Sequence, residues 1–147
     1  HKRNKKDKKK QDKPRAARSA KGKSIEERPR EVNARKEVGH WEMDTVLSAK
    51  DGSLERDLGI TERATRNPIN IKIKNGETAT VVAALDTLER KLGAAFSIVF
   101  RSITVDNGSE FADVEGLERS CLRRGKKRTT LYYCHPASGA PTRNRMA

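Results

Sequence analysis

The spacing of apolar residues changes from a strand period to a helix period near residue 78 and back again near residue 98, which limits the chain to folds that mix β-strands with α-helices. Apolar and polar residues alternate, as in half-buried strands, through 39–47, 54–60 and 69–73. The first two segments flank Asp51-Gly52, a turn signal, and we interpret them as a β-hairpin.

Residues 78–92 carry the clearest helical pattern in the chain. Four apolar side chains recur there at spacings of four, three and four positions: Val81, Leu85, Leu88 and Leu92. Gly93 follows, and glycine is the usual residue just beyond a helix C-terminus. We therefore predict a helix that begins at residue 78 and packs its apolar side on a sheet.

The second half of the chain continues this alternation of element types. A β-branched run at 98–105 predicts a fourth strand, a shorter helix begins at Ser109 with Cys121 facing inward, and 129–133 predicts a fifth strand. The order of three strands, helix, strand, helix and strand predicts an α/β fold, with helices packed on a mixed five-stranded sheet.

Positive charge is concentrated at the N-terminal end of the sequence. Of the net charge of +13, residues 1–24 supply +10, since twelve Lys and Arg face only two Asp there. Such a segment has little apolar surface to offset the entropy lost on ordering. We predict a disordered basic linker over 1–24, followed by one domain over 25–147. A polyanion is the natural partner of the basic linker, and the alternative is that the linker is a solvated run of charges without a ligand.

Several classes of protein are disfavoured by composition. No run of eighteen apolar residues is present, and no apolar segment follows the basic N-terminal residues, so we expect neither export nor membrane spanning. Two cysteines without CxxC spacing make no disulfide framework, which fits a reducing cytoplasm. Cys134, His135 and the distant His40 offer an alternative as zinc ligands, but a closed zinc site normally has four ligands.

Two aspartates are the strongest candidates for chemistry. Asp44 lies within an apolar strand, and Asp106 lies where a strand meets the turn Asn107-Gly108. An ionised carboxylate in such a place needs a cation or hydrogen-bond donors, and hard oxygen ligands suit Mg²⁺ or Mn²⁺. The alternatives are that Asp44 faces solvent and that Asp106 is an ordinary turn-forming residue.

Other charged residues could assist such a site. Glu42 lies on the same strand face as Asp44, about 6.5–7 Å away, and could reach the same cavity or pair with a cation. Glu110 could lean towards Asp106 or interact with its helix dipole. We predict contacts to nucleic-acid phosphates from one basic cluster, for which a solvated loop is the alternative: Arg123, Arg124, Lys126, Lys127 and Arg128. At 4% aromatic residues, a base-stacking platform is not supported.

Three segments together resemble the catalytic core of the IS30 family of bacterial insertion-sequence transposases, which belong to the retroviral-integrase superfamily. Residues 39–46 are Gly-His-Trp-Glu-Met-Asp-Thr-Val, and 103–113 are Ile-Thr-Val-Asp-Asn-Gly-Ser-Glu-Phe-Ala-Asp. Residues 131–136 are Leu-Tyr-Tyr-Cys-His-Pro. The resemblance extends over roughly residues 25–136, and its specificity comes from the order of these motifs with the helix between them.

The resemblance implies a ribonuclease-H-like fold and a Mg²⁺ or Mn²⁺ site for DNA cleavage and strand transfer. Under it, Asp44 and Asp106 are the first and second metal-binding catalytic aspartates, and Glu110 is a supporting residue. DNA, as transposon ends and target, is the implied partner. A homo-oligomer assembled on DNA in the bacterial cytoplasm, associated with the nucleoid, is the implied setting.

The C-terminal end departs from the family pattern. In the family, a helix that follows His-Pro carries the glutamate that completes an acidic triad, whereas 137–147 here contain no Asp or Glu and the last carboxylate is Glu118. We expect a sheet that lacks this last helix and an enzyme that is impaired, with Glu42 as a poor substitute. The alternatives are a non-catalytic DNA-binding remnant of a transposase and a basic RNA-binding or ribosome-associated protein.

Overall fold

A computed structural model of the chain describes residues 22–30, 35–48 and 52–134. The strands are β1 (Lys23–Ser24), β2 (His40–Leu47), β3 (Arg56–Glu62), β4 (Pro68–Ile73), β5 (Ser102–Val105) and β6 (Thr130–Tyr133). The α-helices are α1 (Thr78–Leu92), α2 (Phe96–Val99) and α3 (Val114–Glu118), with short 3₁₀ turns at Ile25–Glu27, Gly93–Ala95 and Ser109–Phe111.

The strands form one mixed sheet in the order β1-β6-β5-β2-β3-β4. β2 is antiparallel to β3 and β3 to β4, whereas β5 is parallel to both β2 and β6. The mixed α/β prediction is thus confirmed, but the predicted count of five strands is wrong. The additional strand is β1, which pairs in parallel with β6 through only two residues, too few to give a periodic signal.

The residues at the predicted N-terminal boundary of the domain take part in the sheet. Lys23 and Ser24, which we assigned to the basic linker, form β1 and pair with Tyr132 and Tyr133. Residues 1–21 lie outside the described part of the chain, so the linker over 1–24 and the domain over 25–147 stay predictions. The structure places the first strand two residues before the predicted domain boundary.

The helix predicted over 78–92 is confirmed as α1, and Gly93 follows it with a φ of 59°, a left-handed value that glycine adopts without strain. The strand predicted over 98–105 is only half right, because Phe96–Val99 is the short helix α2. Phe96 and Phe100 stack there, and the Trp41 indole donates a hydrogen bond to the carbonyl of Val99. Aromatic packing thus overrides the β-branched signal.

The second predicted helix is also shorter than its pattern indicated. A 3₁₀ turn at Ser109–Phe111 and the five-residue α3 share this segment, because the Asp113 side chain accepts a hydrogen bond from Gly116 N and begins a new helix. Cys121, expected to face inward, is exposed beyond the end of α3.

One face of the sheet carries the hydrophobic core. Met43, Ile60 and Ile103 are completely buried on this face beneath Val81 and Leu85 of α1. The opposite face carries mainly polar side chains, because strand residues alternate between the two faces. The candidate site lies at the edge of this polar face. No helix in the described residues is long and apolar enough to cross a membrane.

A buried ionic cluster joins the helices to the segment before β6. Arg128 is only 1% exposed, and its guanidinium donates to the carbonyls of Leu117 at 2.9 Å and Gly116 at 2.8 Å. It also forms ion pairs with Asp86 at 2.5 Å and Glu89 at 3.3 Å. The prediction that Arg128 contacts DNA is therefore wrong, because its charge is fully used inside the protein.

Candidate metal site at the strand ends

Asp44 is the fifth of the eight residues of β2 and lies on the polar face of the sheet. Its cross-strand partner in β3 is Gly59, and a Cβ atom at that position would lie 3.0 Å from Asp44 Oδ1. Asp44 is exposed, which agrees with the solvent-facing alternative rather than with full burial inside the strand. The missing side chain at residue 59 leaves the carboxylate room beside the sheet.

Asp106 follows the last residue of β5 directly and is half-buried. Its Oδ1 atom accepts a hydrogen bond from Gly108 N at 2.8 Å, so this carboxylate does stabilise the turn, as the alternative interpretation held. Asn107 donates to the carbonyl of Cys134, which fastens the turn to the end of β6. These contacts fix the direction in which Asp106 points.

The register of β2 and β5 brings the two aspartates together. Glu42 pairs with Thr104 across these parallel strands, and Asp44 and Asp106 each lie two residues further along the chain, Asp106 just beyond the end of β5. Adjacent strands are about 4.8 Å apart. Burial, followed by the charge of Asp106, raises the pKa of Asp44 above its ordinary value. The two carboxylates therefore repel each other, and a bound cation would remove that repulsion.

The donor set fits a hard divalent cation. Both side chains offer carboxylate oxygens, which Mg²⁺ and Mn²⁺ prefer, and Gly59 leaves space beside Asp44. Within 22–30, 35–48 and 52–134, however, there is no group of three or more His, Cys, Asp or Glu side chains arranged to hold a metal. The described residues thus offer two candidate ligands, and the zinc alternative stays untested because His135 lies outside them.

The two other carboxylates considered from the sequence are engaged elsewhere. Glu42 forms an ion pair with Arg63. Glu110 accepts a hydrogen bond from Thr45 Oγ1 at 3.0 Å, and its carboxylate lies over the α-carbon of Gly108. Thr45 is on the opposite face of β2 from Asp44, so Glu110 joins the turn after β5 to the end of β2.

The polar face continues below the aspartates in two further rows of cross-strand pairs. In the first row, Arg63 binds Glu42 and Arg28 Nη1 donates to Thr104 at 3.1 Å. In the second, a hydrogen bond of 2.7 Å joins His40 and Ser102. Sequence reasoning missed both arginines. The period of two could have located the rows, because 40, 42 and 44 share a strand face, as do 102, 104 and 106.

The loop between β3 and β4 is organised by one buried carboxylate. Glu62 is 2% exposed and accepts hydrogen bonds from Ala64 N at 2.9 Å, Thr65 N at 2.7 Å and Thr65 Oγ1 at 2.6 Å. Burial acts to raise the pKa of Glu62, but these hydrogen bonds outweigh it and the pKa is lowered. The loop thus has a fixed shape that depends on an ionised Glu62.

Replacing Glu62 by Gln is expected to destabilise the protein by about 1.5 kcal/mol at pH 7, because an amide accepts these hydrogen bonds less well than a carboxylate. Since the folded-state pKa is lowered, the stabilisation by Glu62 is present above the unfolded value of about 4.3 and lost as the pH falls further. Urea unfolding at pH 7 and at pH 3 measures both effects. A loss of the same size at the two pH values would contradict this role.

The predicted nucleic-acid contacts lie in the loop between α3 and β6. Four of the five residues are exposed, and Arg128 is the exception already described: Arg123, Arg124, Lys126 and Lys127. Lys127 lies 3.3 Å from Glu118, and Arg123 donates to Ser97 Oγ at 3.1 Å. Exposed cations on a loop can reach a phosphate backbone, and DNA contact by these four residues stays a prediction.

Comparison with known sequences found several transposases. The chain is 37% identical over 97 residues to the probable transposase for insertion-like sequence element IS1161 of Streptococcus salivarius. The aligned region covers 66% of this chain and 27% of that protein. It is 32% identical over 115 residues to the transposase of element IS1086 of Cupriavidus metallidurans, covering 78% of this chain and 31% of that protein.

A third relative is the transposase InsI of element IS30A of Escherichia coli, 30% identical over 117 residues, covering 80% of this chain and 27% of that protein. The chain thus spans 27–31% of the length of these relatives. No family model matches it.

Among solved structures, the fold resembles a chain in the cryo-EM structure of the simian T-cell lymphotropic virus intasome in complex with the PP2A regulatory subunit B56 gamma. The TM-score is 0.51 at 14% identity, covering 74% of this chain and 39% of that chain. This likeness bears on the fold alone.

Proposed function

The chain is related by sequence to the transposases of the IS30 family, and on that premise we propose that it is the catalytic core of a transposase that binds a divalent metal and acts on DNA. The observation that carries the proposal is the register of β2 and β5, which brings Asp44 in β2 beside Asp106 at the end of β5. We further propose that the fold is of ribonuclease-H type. The mixed sheet and its likeness to an intasome chain support this.

In the proposed mechanism, Asp44 and Asp106 would hold Mg²⁺ or Mn²⁺. When bound, such a cation would polarise a phosphodiester and lower the pKa of an attacking water or 3′-hydroxyl. The hydrogen bond from Gly108 N keeps Asp106 in a fixed orientation, and Gly59 keeps the space beside Asp44 open. The hydrogen bond between Thr45 and Glu110 holds the two strand ends together, so Glu110 is a positioning residue.

DNA is the proposed partner, as transposon ends and as target. The exposed cations of the loop between α3 and β6 would contact phosphates, which gives affinity and strong salt dependence but little sequence specificity. Assembly of a homo-oligomer on DNA, within the bacterial cytoplasm and its nucleoid, completes the proposal. The related transposases support the DNA partner, while oligomerisation rests on the family resemblance.

We propose that catalysis by this chain is impaired. Within the described residues, no third carboxylate joins Asp44 and Asp106, because both Glu42 and Glu110 are held by other side chains. Two carboxylates position a pair of metal ions less well than three. The same observation favours a second candidate function, a non-catalytic DNA-binding remnant of a transposase.

Nicking of a supercoiled plasmid tests the two candidates. The purified chain is titrated with Mn²⁺ and with Mg²⁺ and compared with the Asp44→Asn/Asp106→Asn variant. Metal-dependent nicking that the double variant lacks is the result expected of a catalytic core, at a low rate. Plasmid binding without nicking at any metal concentration would support the DNA-binding remnant and refute the catalytic proposal.

A further inference from the structure

The charges of four arginines act on Glu42, the residue two positions before Asp44 on the same strand face. Arg63 binds the Glu42 carboxylate, and Arg28, Arg35 and Arg66 are close enough that their charges act on it. The four arginines carry four positive charges against the two negative charges of Glu42 and Glu62, which leaves an excess of two positive charges. We call these four residues the arginine patch. None of them belongs to the basic loop between α3 and β6.

The two outer members of the patch have unusual backbone conformations. Arg35 has a φ of 56° and Arg66 a φ of 63°, and they are the two non-glycine residues with positive φ in the described parts of the chain. A left-handed conformation is strained for a residue with a side chain, and such strain concentrates at functional sites. The charges of both residues act on the Glu42 carboxylate although 31 positions separate them in the sequence.

The segment that carries Arg63 and Arg66 is pre-organised. Glu62 holds it through the hydrogen bonds from residues 64 and 65, and Arg66 N donates to the carbonyl of Glu62 at 2.9 Å. Arg63 N donates to the carbonyl of His40 at 2.8 Å, which fastens the loop to β2. The buried carboxylate of Glu62 thus stabilises the conformation of the loop that carries Arg63 and Arg66.

Accessibility divides the patch into two pairs. Arg28 and Arg63 are 7% and 5% exposed and contact the row directly below the aspartates. Arg66 is exposed and Arg35 is half-buried, and neither forms an ion pair within the described residues. The inner pair therefore provides positive potential under the sheet surface, and the outer pair can reach a ligand in solution.

We propose that the arginine patch binds a backbone phosphate of DNA next to the phosphate that lies at Asp44 and Asp106. The inference rests on the proposed function and adds a contact that fixes where the strand lies. Glu42 is one strand step from Asp44, about 6.5–7 Å, so a DNA strand that runs from the aspartates along β2 would pass over the patch. Guanidinium groups are well suited to such phosphates, because their planar donors bind two oxygens at once.

The test is DNA binding by the whole chain in EDTA, so that no metal contributes, measured by fluorescence anisotropy of a labelled duplex over a range of salt concentrations. The variant is Arg35→Gly/Arg66→Gly, which removes both side chains and also removes the backbone strain. We expect affinity to fall by about an order of magnitude per lost contact near 0.1 M salt, and the salt slope to fall by about 0.9 per contact. The thermal midpoint should not fall.

The matched control is Arg90→Ala/Lys91→Ala, which removes two exposed charges from α1, on the opposite side of the sheet. Its salt slope should equal that of the wild type. If the glycine variant binds DNA no more weakly than this control, the proposal is wrong. If it loses thermal stability along with affinity, the patch is structural and the proposal is equally overturned. Failure of the catalytic proposal appears separately, as absence of metal-dependent nicking.

Discussion

Replacing Arg128 by Met is expected to destabilise the protein by about 3–5 kcal/mol, because it leaves Glu89 and Asp86 without their buried counter-charge. Glu89 is 2% exposed, so water cannot take the place of the guanidinium. Burial acts to raise the pKa of Glu89, but hydrogen bonds from Ser120, Cys121 and Arg128 outweigh it and lower the pKa. Since domains of this size are marginally stable, the variant should be largely unfolded.

Circular dichroism and urea unfolding measure this loss, and Arg124→Met is the matched control. Arg124 lies in the same loop but is exposed, so its replacement should change stability by less than about 0.5 kcal/mol. Glu89→Gln in the Arg128→Met background should cost less than in the wild type, because the charge that lacks a partner is then gone. Equal stability of Arg128→Met and the wild type would show that the cluster contributes little.

The elements predictable from sequence are those whose pattern extends over several residues. α1 places three of its four predicted side chains, Val81, Leu85 and Leu88, against the core, and β3 and β4 alternate in burial over most of their length. β1 has two residues and no pattern, so its pairing with β6 depends on tertiary contact alone. α2 was missed because three aromatic rings, those of Trp41, Phe96 and Phe100, decide its conformation.

The burial and the partners of the charged residues were harder to predict than the strands. Arg128 belongs to a run of five basic residues within six positions, and nothing in the sequence sets it apart from Arg123 or Arg124. It is buried because α1 brings Asp86 and Glu89 next to it, 42 and 39 positions earlier. Arg28 and Arg63 were missed for the same reason, since their partners lie on strands distant in sequence.

The candidate site was partly predictable, because the two-residue period of a strand can be read from the sequence and the register then fixes which residues are neighbours. From the sequence, Asp44 could be placed within a strand and Asp106 at the end of one, and the parallel pairing of β2 with β5 then brings them side by side. Their environment was not predictable. Asp44 is exposed, although neighbouring atoms and Asp106 still raise its pKa, and the cost that we expected from full burial is reduced accordingly.

The effect of Asp44→Asn should reverse in sign between metal-free and metal-containing solutions. Because burial and Asp106 raise the folded-state pKa of Asp44, its favourable contribution is complete below the unfolded pKa of about 3.9 and is lost as the pH rises through the folded-state value. At pH 7 in EDTA, the variant removes one of two repelling charges and should therefore unfold at a higher temperature than the wild type.

With Mn²⁺ present the order should invert, because only the wild type keeps both carboxylates for the cation. A ligand at one hundred times its Kd stabilises the folded state by about 2.7 kcal/mol, which the variant should largely lack. Asp57→Asn, in β3 and outside the pair, is the matched control and should respond to Mn²⁺ as the wild type does. Thermal unfolding of all three proteins in EDTA and over a Mn²⁺ titration gives the comparison. If Asp44→Asn and the wild type were stabilised equally by Mn²⁺, any metal site would lie elsewhere, and the pairing of Asp44 with Asp106 would need an explanation other than metal binding.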